Sequence, residues 1–290
     1  MNRRSFLHTG LTAAAAVALA GRSVAQEANK KVWRKAVCLG MLPDMEFRQR
    51  MELARKCGFD GVEMYPTGDL AAAAEQRKIA EGAGIALHSV MADGWSNPLS
   101  SADPEVRKRG QDGLRGALRS AKAYGADAVL MVPGIVNADT RYVDAYDRTQ
   151  AAIREVIPEA EENGVVVAIE DVWNNFLLSP REFAIYISEF ESPWVAAYFD
   201  VGNIVKFGWS EDWVLTLGKH IRRIHLKDYK RNTGQFVNLR DGDVNWPKVT
   251  AALKEVGYPE DGWFTCELGG GDEAYLTDVA ARVDAIFRGE

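Results

Sequence analysis

Short apolar runs alternate with amphipathic stretches along most of the chain. The clearest run covers residues 165–169 (V-V-V-A-I), and two carboxylates, Glu170 and Asp171, follow it directly. A continuous, mostly β-branched run is typical of a strand that is buried on both faces in a parallel sheet. Charge appears only at its C-terminal end, which is the end where parallel α/β architectures build their sites. For one isolated strand, a solvated loop would explain Glu170 equally well.

The same pattern recurs along the chain and predicts eight strands, each followed by a helix. The predicted strands are residues 36–42, 61–65, 85–91, 126–132, the run from Val165, 195–200, 221–226 and 263–267. The predicted helices are residues 45–56, 70–82, 104–124, 143–163, 180–190, 211–217, 246–256 and 275–288. Asp103 before Pro104 is a favourable N-cap with proline at the first helical position, and Gly164 is a favourable C-terminal stop.

Eight strand–helix units follow one another over residues 36–290 without a break in composition. Their number and total length predict one α/β domain, a single (β/α)8 TIM barrel. An open, doubly wound sheet is the alternative. No predicted strand is followed by a G-x-G-x-x-G fingerprint or a P-loop, which favours the barrel.

The first 25 residues have the features of an export signal. Arg3 and Arg4 precede a weakly apolar stretch from Gly10 to Gly21, and Ser23-Val24-Ala25 forms a small-x-small cleavage pattern. The stretch is shorter than the roughly 20 residues that span a membrane. We therefore predict a twin-arginine signal at 1–25, cleaved after Ala25, and a linker at 26–35. The twin-arginine translocase would deliver a periplasmic or secreted protein that keeps no membrane anchor.

Composition narrows the classes of function. The chain has 290 residues and a formal net charge of −6, which argues against a general nucleic-acid-binding surface. Three cysteines are too few, and odd in number, for a disulfide framework. Cys38 and Cys266 lie in apolar runs and are expected to be core residues, while the oxidation of any pair is left open.

In a barrel, functional residues lie at the C-terminal ends of the strands. Six polar residues interrupt or end predicted strands: Glu63, His88, Glu170, Asp200, His225 and Glu267. Any one alone is more simply a hydrogen-bonded core residue or a cap. The last four, however, come from successive strands and converge at one mouth, where three carboxylates would repel one another unless a cation lay between them. One divalent ion is predicted, preferably Mn²⁺, with Mg²⁺, Co²⁺ or Zn²⁺ as alternatives and an ion-free polar cluster as the rival interpretation.

This quartet, with His225 inside I-H-L-K-D and Gly242-Asp243-Val244-Asn245-Trp246 downstream, resembles the metal site of the xylose-isomerase-like sugar (phosphate) isomerase/epimerase superfamily. The resemblance covers essentially the whole chain after residue 25. It implies that Glu170 and Glu267, which hold the metal together with Asp200 and His225, also act as the catalytic base and acid. The superfamily extends more distantly to endonuclease IV, but four histidines are too few for a trinuclear zinc site of that kind.

The resemblance also implies substrate contacts, with two departures. His88 and Arg231 match substrate-binding positions, and Glu63, Asn203 and Lys227 are further candidates. Trp95 and Trp173, with Tyr65, follow strand ends and are candidates to stack on a sugar, although packing explains each equally well. The ketose 3-epimerases have histidine where Asn203 stands and glutamate where Phe176 stands, so the predicted metal site is more secure than the substrate.

The resulting hypothesis is a metal-dependent sugar isomerase or epimerase that abstracts a proton next to a carbonyl and proceeds through an enediolate. A lyase or dehydratase acting on keto-sugars, inososes or 3-keto-glycosides could use the same site, and an exported sugar-binding protein without catalysis is a further alternative. The expected partner is a small carbohydrate or cyclitol and not a nucleic acid. A homo-oligomer is left open.

Overall fold

A computed structural model describes residues 33–290, which contain ten strands. They are β1 (Arg34–Cys38), β2 (Gly61–Met64), β3 (Ala86–Met91), β4 (Ala128–Met131), β5 (Val166–Glu170), β6 (Val195–Asp200), β7 (Ile221–Leu226), β8 (Asp228–Lys230), β9 (Gln235–Val237) and β10 (Trp263–Cys266). All except β8 and β9 form one closed barrel in the order β1-β10-β7-β6-β5-β4-β3-β2. Every pair of neighbouring barrel strands is parallel. The predicted (β/α)8 barrel is confirmed.

The described residues also form ten α-helices. They are α1 (Phe47–Lys56), α2 (Leu70–Gly82), α3 (Pro104–Tyr124), α4 (Tyr142–Arg154), α5 (Ile157–Asn163), α6 (Pro180–Ser188), α7 (Val201–Val205), α8 (Ser210–Leu217), α9 (Trp246–Glu255) and α10 (Glu273–Arg288). The longest, α3, has the predicted ends because both are encoded locally. The Asp103 side chain accepts a hydrogen bond from the Glu105 N–H, and Gly125 ends the helix at φ 78°.

The strands are buried on both faces, which explains their continuous apolar sequences. Every residue of β4 and β5 is buried. Inside the barrel Leu130, Ala168 and Tyr198 pack together, and a much larger core joins the strands to the helices outside. The barrel is therefore filled with side chains and leaves the carboxyl ends of its strands as the place for a site.

Four local features differ from the sequence-based expectations. The first strand, predicted at 36–42, ends at Cys38, and a 3₁₀ turn over Leu39–Met41 follows it. The prediction of a single helix at 143–163 is wrong, because α4 and α5 are separate helices. Pro158 has no N–H to donate to the Arg154 carbonyl, and in a continuous helix its ring would collide with that carbonyl. The short helix α7 and the antiparallel hairpin of β8 and β9 were not predicted. Strands of three residues are too short to show an alternating pattern.

The predicted signal at 1–25 and most of the linker lie outside the described residues. Within residues 33–290, no helix combines the length and the hydropathy needed to cross a membrane. Cys38, Cys57 and Cys266 are buried and free, which agrees with the expectation that Cys38 and Cys266 are core residues.

Candidate metal centre and substrate cavity

Four predicted ligands converge at the carboxyl ends of adjacent strands. Glu170 ends β5, Asp200 ends β6, His225 lies in β7 and Glu267 directly follows β10. The Nδ1 atom of His225 lies 3.0 Å from Glu170 Oε1, 2.9 Å from Glu267 Oε2 and 4.0 Å from Asp200 Oδ2. One ligand atom from each residue lies within 4.8 Å of the others. The structure thus brings together all four residues of the predicted quartet.

The donor set fits one divalent cation. It offers three carboxylates and one imidazole nitrogen, a combination suited to Mn²⁺, Mg²⁺ or Co²⁺ and also acceptable to Zn²⁺. Asp200 Oδ2 and Glu267 Oε2 are buried oxygens that accept no well-directed hydrogen bond. The ammonium group of Lys227 lies 3.1 Å from the first oxygen and 2.6 Å from the second as an ion-pair partner. A metal ion among the four residues would give these two oxygens a second partner of positive charge.

Glu63 sets the orientation of His225. Its Oε2 lies 2.8 Å from Nε2 of His225, and its Oε1 accepts hydrogen bonds from the hydroxyls of Ser89 (2.7 Å) and Tyr198 (2.8 Å). Burial raises the pKa of Glu63, but His225 and these hydroxyl donors outweigh burial and lower it. A carboxylate at Nε2 requires the proton there and leaves the Nδ1 lone pair for a metal, as in carboxylate–histidine–metal arrangements.

The four ligands carry unequal proton affinities. Burial raises the pKa of Glu170 to about 7. Burial also acts to raise the pKa of Glu267, but the positive charges of His225 and Lys227 outweigh burial and hold this pKa below its usual range. Burial lowers the pKa of His225, yet Tyr198, Glu63 and Glu267 raise it well above the ordinary value. Two carboxyl groups with opposite shifts, side by side, are an arrangement suited to acid–base chemistry.

A cavity of about 480 Å³ opens directly above these ligands. Its lining includes Tyr65, Pro66, Met91, Asp93, Trp95, Val132, Glu170, Trp173, Asn203, Lys227, Phe236 and Glu267. Aromatic and apolar walls around a few converging polar groups are typical of small-molecule sites. Five predicted substrate contacts lie at this cavity, namely Tyr65, Trp95, Trp173, Asn203 and Lys227. The predicted acid–base groups Glu170 and Glu267 line it as well.

Two of the cavity residues are hydrogen-bonded to the segments that carry the candidate ligands Glu170 and Asp200. The amide of Asn203 donates to the Asp171 carbonyl (2.9 Å), and the indole N–H of Trp173 donates to the Asn203 carbonyl (2.9 Å). Asp171 in turn accepts a hydrogen bond from the backbone N–H of Asp200 (2.9 Å). The cavity wall and the ligands are therefore one connected unit.

Three predicted substrate contacts lie elsewhere. Glu63 is 1% exposed and lies below the ligands, where it holds His225. His88 lies inside the barrel, because its position in β3 places it below the mouth. Its ring stacks on that of Trp263 with centroids 4.4 Å apart, and its Nε2 atom lies 3.0 Å from the Thr265 hydroxyl. Arg231 donates instead to the carbonyls of Val205 (2.8 Å) and Gly208 (2.5 Å). None of the three lines this cavity, and their role as substrate contacts stays a prediction.

Phe236 is an aromatic cavity residue that the sequence did not single out. It lies in β9, is 44% exposed, and stacks on Trp173 with ring centroids 4.9 Å apart. Asp228 lies at the start of the hairpin and anchors the hairpin that carries Phe236. Its carboxylate accepts hydrogen bonds from the N–H groups of Tyr229 and Arg240 and from the indole of Trp246. The only sequence signal was an aromatic residue in a mostly polar loop.

Comparisons with known proteins agree with this architecture. Residues 51–283 match the family described as xylose isomerase-like TIM barrel. L-Ribulose-5-phosphate 3-epimerase UlaE of Escherichia coli O1:K1 / APEC is 28% identical over 228 residues, which are 72% of this chain and 78% of the relative. UlaE of Salmonella paratyphi C (strain RKS4594) is 29% identical over 229 residues, with the same coverage. A structure of D-psicose 3-epimerase with D-tagatose from Clostridium cellulolyticum H10 has a TM-score of 0.74 at 18% identity, covers 87% of this chain and 98% of that chain, and supports the fold.

Proposed function

This chain belongs to the xylose isomerase-like TIM barrel family, and from that premise we propose that it is a divalent-metal-dependent sugar epimerase or isomerase. Its curated relatives are named sugar epimerases, which are isomerase-class enzymes, in agreement with the predicted class. One observation carries the proposal: two carboxyl groups, Glu170 and Glu267, flank the Nδ1 atom of His225 at 3.0 and 2.9 Å, on the floor of a cavity of sugar-binding size.

Glu170, Asp200, His225 and Glu267 would hold the ion. When bound there, a divalent cation supplies Lewis-acid stabilisation of the negative charge that develops on sugar oxygens. The protein residues supply the rest. Lys227, charged because Asp200 and Glu267 outweigh its burial, can donate a hydrogen bond to the same oxygens.

Glu170 and Glu267 would exchange the proton. A carboxylate removes it from the carbon beside the carbonyl, and the second carboxyl group returns it to the opposite face or to the adjacent carbon. The pKa of about 7 at Glu170 suits a group that must both accept and release a proton near neutral pH. Trp95, Trp173 and Phe236 form apolar walls that exclude water and hold the ring above these groups.

The decisive experiment replaces Glu170 and follows proton exchange. The full chain is loaded with Mn²⁺, and deuterium uptake from solvent into a panel of ketoses is measured by NMR. Glu170→Gln removes the carboxyl group that accepts and releases the proton while keeping an oxygen ligand, so exchange should fall by roughly 100-fold or more. Glu260→Gln, at an exposed glutamate outside the cavity, is the matched control.

Two outcomes would refute the proposal: full exchange in folded Glu170→Gln, or full exchange in metal-stripped protein. Product analysis distinguishes the reaction types. Epimerisation and isomerisation conserve the mass of the substrate, whereas a lyase or dehydratase releases water or a leaving group. Sugar binding without any exchange across the panel would indicate a binding protein.

A further inference from the structure

A second cavity, of about 510 Å³, adjoins the first. Lys227, Phe236 and Glu267 line both cavities, and the second is completed by Val237, Asn238, Leu268, Gly269 and Tyr275. Of the two proton-transferring carboxyl groups, Glu267 lines both cavities and Glu170 lines the first cavity only. The reacting sugar ring is therefore expected in the first cavity, where it can contact both groups. Each cavity alone is large enough for a small ligand. The site is thus larger than one monosaccharide requires.

The two cavities contain little that would bind a phosphate. Among the described residues that line them, Lys227 carries the only positive charge, and its ammonium group is already paired with Asp200 and Glu267. Asp93 adds negative charge to the first cavity, and the charges of Glu170 and Glu267 would be taken up by the metal ion. Phosphate esters are normally held by arginine, lysine or free backbone N–H groups, and arginine is missing from both linings.

The helix that follows the last barrel strand is also an unfavourable place for an anion. The phosphate sites of such barrels usually lie in the loops after the last strands, at the N-terminus of a helix. Here the loop after β10 leads into α10, where the Asp272 side chain accepts a hydrogen bond from the Tyr275 N–H (3.0 Å) and Glu273 follows. The Gly271 N–H donates to the Met41 carbonyl (3.3 Å). Two carboxylates thus already lie at the N-terminus of α10, where they disfavour a further anion.

The second cavity has the chemistry of a site for a neutral ring. Phe236 and Tyr275 supply aromatic surface, Val237 and Leu268 supply aliphatic surface, and Asn238 supplies one polar amide. Aromatic faces bind the apolar face of a sugar or an aryl group, and one amide can orient a hydroxyl. Phe236 lies between the two compartments and borders both.

We propose that the substrate is a neutral glycoside: a sugar that already carries the reactive carbonyl, bound in the first cavity, with its second ring in the adjoining one. This inference rests on the proposed function. The proton leaves the carbon beside the carbonyl for a carboxylate and returns to carbon, so the step needs no oxidant or reductant. A phosphate ester is a poor substrate for this site.

The test offers four compounds to the full chain loaded with Mn²⁺. They are phenyl 3-keto-glucoside, methyl 3-keto-glucoside, fructose and fructose 6-phosphate. The readout is kcat/KM for deuterium uptake from solvent. The phenyl glycoside should exceed the methyl glycoside by about tenfold, the scale expected for filling an apolar pocket, and fructose 6-phosphate should be slower than fructose. Equal values for the two glycosides, or faster exchange with the phosphate ester, would overturn the inference.

A variant locates the effect in the second cavity. Val237→Trp fills it and should reduce the ratio of phenyl to methyl glycoside to about one, whereas Gln235→Trp, on the same strand but outside both cavities, should keep the ratio. An unchanged ratio in folded Val237→Trp contradicts the assignment. Exchange with fructose but with neither glycoside overturns the inference alone. No exchange with any substrate overturns the proposed function as well.

Discussion

Oε2 of Glu63 lies 2.8 Å from Nε2 of His225, the ring nitrogen that does not face the other three ligands. Glu63 is itself held by the hydroxyls of Ser89 and Tyr198, so a buried chain of hydrogen bonds fixes the imidazole before any ion binds. This contact explains why a glutamate occupies the interior of the barrel, where burial opposes its charge.

We expect Glu63→Gln to weaken metal binding. The neutral amide is a poorer acceptor for the Nε2 proton, and loss of such partners typically costs about 10- to 100-fold in metal affinity. Calorimetric titration with Mn²⁺ measures the change, with Glu260→Gln as the control. Wild-type affinity in the variant would mean that His225 is oriented by other contacts.

Lys227→Met should destabilise the metal-free protein. Removing one partner of a buried ion pair leaves Asp200 and Glu267 without their counter-charge, at a cost of about 3–5 kcal/mol. A divalent ion restores that charge, so the increase in Tm on adding Mn²⁺ should be larger in Lys227→Met than in the wild type. Lys248→Met, at an exposed lysine, should change neither value. An equal increase in both proteins would argue against Lys227 as a counter-ion of the cluster.

Asp228→Asn should loosen the hairpin that carries Phe236. Asp228 accepts hydrogen bonds only from N–H donors, and an amide NH₂ placed among them leaves at least one group unpaired. An unsatisfied buried polar group costs about 1–3 kcal/mol, measurable by urea unfolding. Asp147→Asn, on the exposed side of α4, is the comparison variant. Unchanged stability would show that the loop is held mainly by apolar packing.

Phe236→Ala should raise KM more than it lowers kcat. The ring stacks on Trp173, borders the cavity and carries no group that could transfer a proton, so it contributes binding that is equal in the ground and transition states. We expect KM to increase by roughly tenfold, on the scale of one lost apolar contact. A selective fall in kcat with KM unchanged would contradict this role.

Export can be tested directly from the sequence. Replacing Arg3 and Arg4 by lysine should retain the full-length precursor inside the cell, since the twin-arginine translocase reads that pair. In the wild type, mass spectrometry of the exported protein should find Gln26 as the first residue. Unaffected export of the double-lysine variant would point to another route.

The sequence alone determined the barrel and the ligand quartet. Both depend on local information: strand–helix alternation, caps such as Asp103, and a charged residue at the end of an apolar run. Because closure of the barrel brings all strand ends to one mouth, Glu170, Asp200, His225 and Glu267 had to converge once the fold was correct.

Only the tertiary structure decided how deep each side chain lies and what it contacts. Alternation along a strand predicts the face of a residue, but its height in the barrel depends on strand tilt and on the register between neighbours. The register shifts between Val62 and Glu63, where β2 pairs with β3. Glu63 and His88 are both buried inside the barrel and do not lie at its mouth. Phe236 reaches the cavity through a hairpin anchored by Asp228, a long-range arrangement that no local pattern encodes.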